Sequence, residues 1–258
     1  MAQAKSRTAV VTGGLIGIGQ AVAKILGQNR FRVAIGARRG GDPQQQSQAR
    51  ALIGVNTIIH PLDVRDESSV AAFCKAVEAE TGQIDVLVNS AGTNLHQTIC
   101  GHTLSDWQDV LDTNLTGPFL MTRACLPAMK DARWGRIVNI ASTAARTAAE
   151  DHAAYCASKS GLLGLTRAVA LEGAPYGVTC NSVSPTWVET DMLRRSAAIM
   201  AQKKGRLEAD EIAELAQANP QNRLVQPVEI AALVAFLCSD AAPALTMEDI
   251  SVNAGAHW

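Results

Sequence analysis

Short apolar segments alternate with segments of helical periodicity along most of the chain, and this alternation limits the fold more than any other feature. Seven segments have the short, apolar character of buried strands: 8–12, 32–35, 57–59, 85–88, 135–140, 178–183 and 250–252. Apolar strands that alternate with helices form a mostly parallel sheet with helices on both faces. The sequence therefore predicts an α/β fold with a doubly wound, seven-stranded, mostly parallel sheet.

The length of 258 residues fits one large α/β domain. No internal repeat or linker divides the chain, so residues 1–258 are predicted to form a single domain. The polar, helix-prone segment from about residue 190 to residue 219 is long for a connection between a strand and a helix. We expect this segment to be a lid over a substrate pocket.

Charge and composition restrict the expected partners and location. With 23 basic and 24 acidic residues the net charge is −1, and there is no polybasic run, so no nucleic-acid partner is expected. The six cysteines lack zinc-type spacing, which predicts reduced thiols in a cytoplasmic protein and no metal site. No signal-type apolar region follows the N-terminus, and no run reaches the ~18 apolar residues of a membrane span. No membrane association is therefore expected.

A glycine-rich turn, Thr12-Gly13-Gly14-Leu15-Ile16-Gly17-Ile18-Gly19, joins the first strand to the first helix. Glycines allow the backbone to approach a pyrophosphate, and the helix N-terminus offers unpaired N–H groups and the positive end of its dipole. Many such turns only close a strand against a helix. The strand–turn–helix context favours dinucleotide binding here.

The end of the second strand, Gly36-Ala37-Arg38-Arg39, bears on the choice of dinucleotide. NAD-binding folds commonly place an acidic residue there to hydrogen-bond the ribose 2′-hydroxyl, and this chain has none. An arginine can instead pair with a 2′-phosphate in a bidentate manner. We therefore expect NADP rather than NAD, without excluding NAD, with Arg38 a stronger candidate than Arg39. The alternative is that both arginines are solvated loop charges.

Tyr155 and Lys159 are four residues apart in the predicted helix 152–171, so they share one helix face. Free tyrosine has a pKa of about 10 and is a weak acid–base at neutral pH. We expect the adjacent ammonium group to lower the pKa of Tyr155. The pair would then handle the proton of a carbonyl–alcohol interconversion. In isolation, a tyrosine and a lysine on a helix are more typical of the surface.

Other polar residues stand where ligands of open α/β sheets bind, at the carboxyl ends of strands. Ser142 follows the fifth strand, where a hydroxyl can hydrogen-bond a substrate carbonyl oxygen as charge develops on it. Asp63 and Asn89 follow the third and fourth strands, although such residues are also typical of turns and helix caps. Asn114 lies in a helical pattern that disfavours asparagine unless its side chain has a hydrogen-bonding role.

Taken together, these motifs resemble those of the classical short-chain dehydrogenases/reductases. The matching segments cover essentially the whole chain, in the family's order and spacing: Thr12-Gly13 with Gly17-Ile18-Gly19, Asn89-Ser90-Ala91-Gly92, Asn114, Ser142, and Tyr155 with Lys159. The resemblance implies a single-domain Rossmann fold. It also implies direct hydride transfer between a nicotinamide and a substrate carbon.

The resemblance implies a role for each catalytic candidate. Tyr155 would be the general acid/base, and Ser142 would orient and polarise the substrate oxygen. Lys159 would bind the nicotinamide ribose and lower the pKa of the tyrosine, while Asn114 would hold a water in a proton relay. By the same resemblance the protein is expected to be a homotetramer with a small-molecule substrate. The C-terminal Trp258 would then approach a neighbouring subunit, unless the tail is frayed.

The same resemblance implies a set of cofactor-binding residues. Asp63 and Val64 match an adenine-contacting pair, and Asn89 matches a residue that supports the central strand and the adenosine ribose. The segment of Pro185, Val188 and Thr190 matches one that packs on the nicotinamide. The complete predicted set is Gly13, Leu15, Ile16, Gly17, Ile18, Gly19, Arg38, Arg39, Asp63, Val64, Asn89, Ala91, Gly92, Tyr155, Lys159, Pro185, Val188 and Thr190.

The chain departs from the family pattern at three places. Thr186-Trp187 follows Pro185 where glycine is usual, which puts the wall beside the nicotinamide in doubt. Thr246-Met247 replaces a usual Thr-Gly turn before the last strand. Ile16 stands where many NADP-using relatives have a basic residue, so Arg38 is the main argument for NADP.

Substrate residues are expected near residues 92–97, after Ser142 and in the lid. The candidates are His96, Arg146, His152 and Trp187, each of which could equally be a surface or packing residue. Aromatic residues are only 4% of the chain, which favours a small polar substrate, such as a sugar derivative, hydroxy acid or keto ester, over a steroid. Two alternatives remain open: a lyase or epimerase on the same scaffold, and a non-catalytic NADP-binding regulator.

Overall fold

The computed structural model describes residues 6–256. Seven strands within this segment form one sheet. The strands are β1 (Thr8–Thr12), β2 (Arg32–Ala37), β3 (Ile58–Pro61), β4 (Val86–Asn89), β5 (Gly135–Ile140), β6 (Val178–Pro185) and β7 (Asp249–Val252). Their order is β3-β2-β1-β4-β5-β6-β7, and every neighbouring pair in this sheet is parallel. The chain reverses its direction of winding between β1 and β4, and ligands of such sheets bind at that point.

Helices cover both faces of the sheet. They are α1 (Gly17–Gln28), α2 (Pro43–Ile53), α3 (Glu67–Thr81), α4 (Leu104–Leu111), α5 (Gly117–Asp131), α6 (Ala153–Gly173), α7 (Asp191–Lys204), α8 (Glu208–Gln217) and α9 (Pro227–Leu237). Local sequence explains several of the starts. Asp42 accepts hydrogen bonds from the backbone of Gln44 and Gln45 at the start of α2, and Pro43 occupies its first position.

The core consists of two apolar layers, one on each face of the sheet. In β1, Ala9 and Val11 pack in the layer that contains α1 and α9, whereas Val10 packs in the layer that contains α3 and α5. All three side chains are fully buried. This two-sided burial explains why the strands are continuously apolar instead of alternating. The predicted Rossmann fold is therefore confirmed.

The helical pattern that contains Asn114 is not a single helix in the structure. One turn of π-helix, Asp112–Thr116, separates α4 from α5. Such turns are frequent at functional sites, and this one contains Asn114. The polar segment predicted at 190–219 forms two helices, α7 and α8, which pack on each other through Leu193 and Leu215.

The turn before β7 has a left-handed residue, Met247, although the turn contains no glycine. Met247 has a φ of 70°, in the left-handed region that favours glycine. Its N–H donates to the carbonyl of Cys180 at 2.9 Å, and the Cys180 N–H donates to Thr246 Oγ1 at 3.1 Å. These bonds to β6 hold the methionine in an unfavourable conformation.

Two further observations concern the classes of protein considered from composition. Within residues 6–256, no helix has both the length and the apolar character needed to cross a membrane. The same residues contain no cluster of three or more histidine, cysteine, aspartate or glutamate side chains placed to hold a metal ion. The six cysteines are free thiols.

Candidate active site

A cleft of about 790 Å3 opens at the carboxyl edge of the sheet. It runs from the glycine-rich turn, past the ends of β4 and β5, to the first residues of α6 and the inner face of α7. Most predicted site residues line it: Gly13, Leu15, Ile16, Gly17, Ile18, Gly19, Arg38, Arg39, Asp63, Val64, Ala91, Gly92, Ser142, Tyr155, Lys159, Pro185, Val188 and Thr190. Asn89 and Asn114 are buried and do not line the cleft. The structure thus brings together residues from every part of the chain.

The glycine-rich turn is packed so closely that side chains are excluded at two positions. A Cβ atom at Gly19 would lie 2.6 Å from the carbonyl oxygen of Gly13, and one at Gly13 would lie 2.9 Å from the Cα of Ala91. Gly13 also has a φ of 68°. At the start of α1, Ile16 forms no side-chain cap, so no side chain occupies the first N–H groups of the helix there. This arrangement suits the binding of a pyrophosphate.

The two arginines after β2 differ in their surroundings. Arg39 forms an ion pair with Asp42, with 3.4 Å between Nη2 and Oδ2. Arg38 is exposed on the cleft wall and forms no ion pair among residues 6–256. Asp63 is paired with Arg65 at 2.7 Å, and that bond holds the pKa of Asp63 below its ordinary value. Arg38 is thus the guanidinium of this pair that remains available to an anionic ligand.

Tyr155, Lys159 and Ser142 meet at the other end of the cofactor wall. Lys159 is buried, and its Nζ donates to the carbonyl oxygen of Ile140 at the end of β5, at 2.8 Å. The same Nζ lies 5.7 Å from the centroid of the Tyr155 ring. Ser142 directly follows that strand end and accepts a hydrogen bond from Ala144 N. The loop after β5 therefore positions the serine, while one helix face positions the tyrosine and the lysine.

The pKa of Tyr155 differs from the sequence-based expectation. Burial raises the pKa of Tyr155, and the nearby Ser142 hydroxyl only partly opposes this effect. Lys159 donates to the Ile140 carbonyl and not to the phenol, so the expected lowering of the tyrosine pKa by the lysine is wrong for this structure. Burial also lowers the pKa of Lys159 to about 8. The phenol is consequently protonated at neutral pH and is a proton donor.

The hydrogen bonds of the Asn114 side chain explain why an asparagine occupies this helical segment. Its Oδ1 accepts from Thr93 N at 2.8 Å, and its Nδ2 donates to Thr93 O at 2.9 Å and to Ser158 Oγ at 3.1 Å. Ser158 Oγ in turn donates to the carbonyl of Tyr155. Asn114 therefore ties the loop after β4 to the helix that carries Tyr155.

Asn89 lies behind the cleft wall, at the end of the central strand. Its Nδ2 donates to Asn139 Oδ1 at 2.8 Å, and Asn139 Nδ2 donates to Thr166 Oγ1 at 2.9 Å. Sequence reasoning identified Asn89 but missed Asn139 and Thr166, which continue this buried network from β4 to α6. The matching motif included Thr12 without a predicted role; its Oγ1 accepts from the backbone N–H groups of Ser90 and Ala91. A polar side chain within an apolar strand was the available signal for both Thr12 and Asn139.

The substrate candidates divide into two groups. His96, His152 and Trp187 line the cleft beyond Tyr155. Arg146 does not: its Nε pairs with Asp249 Oδ2 at 2.7 Å and its Nη2 donates to the Asp249 carbonyl, which ties the loop after β5 to β7. The selection of Arg146 as a substrate candidate is therefore wrong. The predicted role of Trp258 lies outside the described residues.

A dinucleotide-type turn and a half-buried tyrosine next to a buried lysine in one cleft define an oxidoreductase site, and comparison with known proteins agrees. Residues 14–257 match a family described as enoyl-(acyl carrier protein) reductase. The acetoacetyl-CoA reductase of Cupriavidus necator is 36% identical over 253 residues, covering 97% of this chain and 98% of that protein. The 3-oxoacyl-[acyl-carrier-protein] reductase of Vibrio cholerae is 36% identical over 256 residues, covering 98% of both chains.

Among solved structures, a variant of actinorhodin polyketide ketoreductase crystallised with NADPH superposes with a TM-score of 0.93 at 36% identity. The match covers 99% of this chain and 98% of that one. The chain thus belongs to the short-chain dehydrogenase/reductase family. It is an oxidoreductase that acts on keto and secondary alcohol groups.

Proposed function

We propose that this protein reduces the keto group of a small polar substrate with NADPH. The observation that carries the proposal is the meeting of Tyr155, Lys159 and Ser142 in the same cleft as the glycine-rich turn and Arg38. A half-buried, protonated phenol next to a serine hydroxyl is suited to protonate a carbonyl oxygen. A phosphate-binding turn in the same cleft suits a dinucleotide that supplies the hydride.

The described residues fit NADP, which is the cofactor within this proposal. The turn excludes side chains at Gly13 and Gly19, and the start of α1 has no side-chain cap, so a pyrophosphate can approach the backbone. Arg38 is exposed on the cleft wall and is suited to pair with a 2′-phosphate. When bound, NADPH supplies the hydride that forms the new C–H bond of the product alcohol.

Tyr155 and Ser142 act on the substrate oxygen. Because burial raises the pKa of Tyr155, its hydroxyl retains its proton at neutral pH and can donate it to the oxygen of the carbonyl being reduced. Ser142 Oγ donates a hydrogen bond to that oxygen as negative charge develops on it. The carbonyl carbon gains a hydride, the oxygen gains the tyrosine proton, and the product is a secondary alcohol.

Lys159 and Asn114 support these groups. At neutral pH the Lys159 side chain is mainly an ammonium, since its pKa is about 8. One of its N–H groups is used by the Ile140 carbonyl, and the remaining N–H donors suit the ribose hydroxyls of the cofactor. Asn114 is a positioning residue: it holds the Thr93 backbone and Ser158 against the start of α6.

The substrate belongs, within this proposal, to the keto ester and keto acyl class. The two curated relatives are named for acetoacetyl-CoA and 3-oxoacyl groups, each of which has a ketone two bonds from an acyl carbon. This class is among those expected from the low aromatic content.

We further propose that α7, which lines the cleft through Met192 and Ile199, is the mobile part of the lid. The homotetramer and the cytoplasmic location stay predictions.

The test is a panel of carbonyl compounds assayed with NADPH, with the alcohol product identified in each case. We expect stoichiometric oxidation of NADPH with ethyl acetoacetate and other small keto compounds, and slower oxidation with NADH. Turnover restricted to steroids would overturn the proposed substrate class. Conversion of a substrate without net oxidation of NADPH would instead indicate a lyase or epimerase, and binding without turnover would indicate a regulator.

A further inference from the structure

Three polar side chains lie next to one another on the substrate side of the cleft: Asn94, His96 and His152. Asn94 Nδ2 lies 3.5 Å from His96 Nε2, and the His96 and His152 rings are nearly perpendicular with centroids 4.1 Å apart. The His152 ring is in turn 6.4 Å from the Tyr155 ring, centroid to centroid. This polar patch therefore faces the place where the substrate must lie to reach Tyr155.

Two atoms of the patch are buried and have no hydrogen-bond partner among residues 6–256. They are Asn94 Oδ1 and His152 Nε2. His152 is only 6% exposed, and its backbone is anchored because residue 152 bridges to Gln97. A buried polar atom without a partner costs roughly 1–3 kcal/mol, so each such atom requires an explanation, such as a bound water, a ligand or a catalytic role.

The hydrogen-bond pattern fixes which atoms of the patch accept and which donate. His152 Nδ1 lies 2.6 Å from the Glu150 carbonyl oxygen. A carbonyl only accepts, so Nδ1 has the proton, and Nε2 of the neutral ring is an acceptor. By the same argument His96 Nε2 accepts from Asn94 Nδ2, which leaves Asn94 Oδ1 as a second acceptor. Burial, and to a lesser degree His152, lower the pKa of His96 to about 4, so His96 stays neutral.

We infer that His152 Nε2 and Asn94 Oδ1 are specificity-determining acceptors that bind a hydroxyl group of the substrate, close to the keto group being reduced. The inference rests on the proposed keto reduction and adds to it a preference among keto substrates. These acceptors favour a ligand O–H, which donates its one proton to His152 Nε2 or to Asn94 Oδ1 and so gives that unpaired atom a hydrogen bond. They disfavour a carboxylate, which offers no donor. Of the cations on the adjoining helix, Lys203 is occupied by Asp151 at 2.7 Å, and Arg195 lines the cleft.

The test compares three small ketones with NADPH: 4-hydroxy-2-butanone, 4-methoxy-2-butanone and acetoacetate. The first two differ mainly in the hydroxyl proton, and the third has a carboxylate. We expect kcat/KM to be about tenfold higher for the hydroxy than for the methoxy ketone, the value of one hydrogen bond to a buried acceptor. Acetoacetate should be the poorest substrate. Ethyl acetoacetate serves as the neutral reference for carbonyl reduction itself.

Substitutions separate the role of the acceptors from that of the fold. H152N keeps a donor for the Glu150 carbonyl but removes the acceptor at Nε2, so the preference for the hydroxy ketone should fall to near unity. H152Q places an amide oxygen near that position and should retain the preference. N94A, which removes the other acceptor, should lower it several-fold even if His152 variants fold poorly.

His102 provides a matched control. Its Nδ1 also lies near a backbone carbonyl, that of Thr98, and its Nε2 is also buried without a partner in the described part of the chain, but His102 does not line the cleft. H102N should therefore leave the preference unchanged.

Equal use of the hydroxy and methoxy ketones by the unsubstituted protein would overturn the inference, and would indicate that both atoms bind only a resident water. A preference for acetoacetate that H152N abolishes would overturn it as well, because His152 would then be a donor. Failure to reduce any ketone, ethyl acetoacetate included, would instead refute the proposed function.

Discussion

Replacement of Arg38 by glutamine tests the basis of cofactor choice. Arg38 is exposed on the cleft wall and forms no ion pair among residues 6–256, so its removal breaks no interaction of the described fold. A hydrogen bond between charged groups contributes about 1.5–3 kcal/mol, which corresponds to roughly 10–150-fold in affinity. Because the site is open to solvent, we expect the lower end of that range. R38Q should thus reduce kcat/KM for NADPH about tenfold.

The assay is steady-state reduction of ethyl acetoacetate at fixed ionic strength, with NADPH and NADH compared for each variant. The value for NADH should change by less than about twofold, since NADH has no 2′-phosphate. Arg39 is the matched control: Asp42 already pairs with it, so R39Q should reduce kcat/KM for NADPH far less than R38Q does. The assignment of the 2′-phosphate to Arg38 is refuted by equal losses with NADPH and NADH, or by a larger loss in R39Q.

Three further predictions concern the lysine, the glycine-rich turn and the last turn. First, kcat/KM for reduction should decline as the pH rises above about 8, because Lys159 then loses its proton; a level profile to pH 10 would contradict this. Second, G19A should weaken NADPH binding at least about tenfold in a fluorescence titration, because the new Cβ would collide with the Gly13 carbonyl. The control is G164A, which should bind NADPH normally because there is open space around Gly164. Third, M247G should raise the free energy of unfolding in urea by about 0.5–1 kcal/mol. The left-handed conformation costs a non-glycine residue about 1–2 kcal/mol, and the greater conformational entropy of glycine in the unfolded chain cancels part of that gain. A lower urea midpoint for M247G would refute this prediction.

The fold was predictable from sequence because each strand is short, apolar and followed by turn residues. The limits predicted for the fifth strand, 135–140, match those of β5 in the structure. The π-helical turn at Asp112–Thr116 was not predictable, because an extra residue per turn leaves the apolar spacing of the flanking helices almost unchanged. The asparagine at position 114, which is unfavourable inside a helix, was the sequence signal for this turn.

The cleft was predictable to the extent that its residues have a characteristic type at a strand end. Arg38, Asp63 and Ser142 are such residues, and the structure places all three on the cleft. Arg146 shows the limit of this reasoning: the sequence places it after a strand end, but its partner Asp249 is 103 positions away and pairs only in the folded sheet. The tyrosine pKa was missed for a similar reason, because burial depends on the fold as a whole.

The central claim is that Tyr155 donates the proton during keto reduction, and Y155F tests it most directly. The variant retains the ring but has no transferable proton. Single-turnover oxidation of bound NADPH by ethyl acetoacetate should slow by about a hundredfold or more, while the dissociation constant for NADPH, measured by fluorescence, stays within about threefold of the original. Single-turnover reduction at the original rate, with NADPH still bound, would contradict the account.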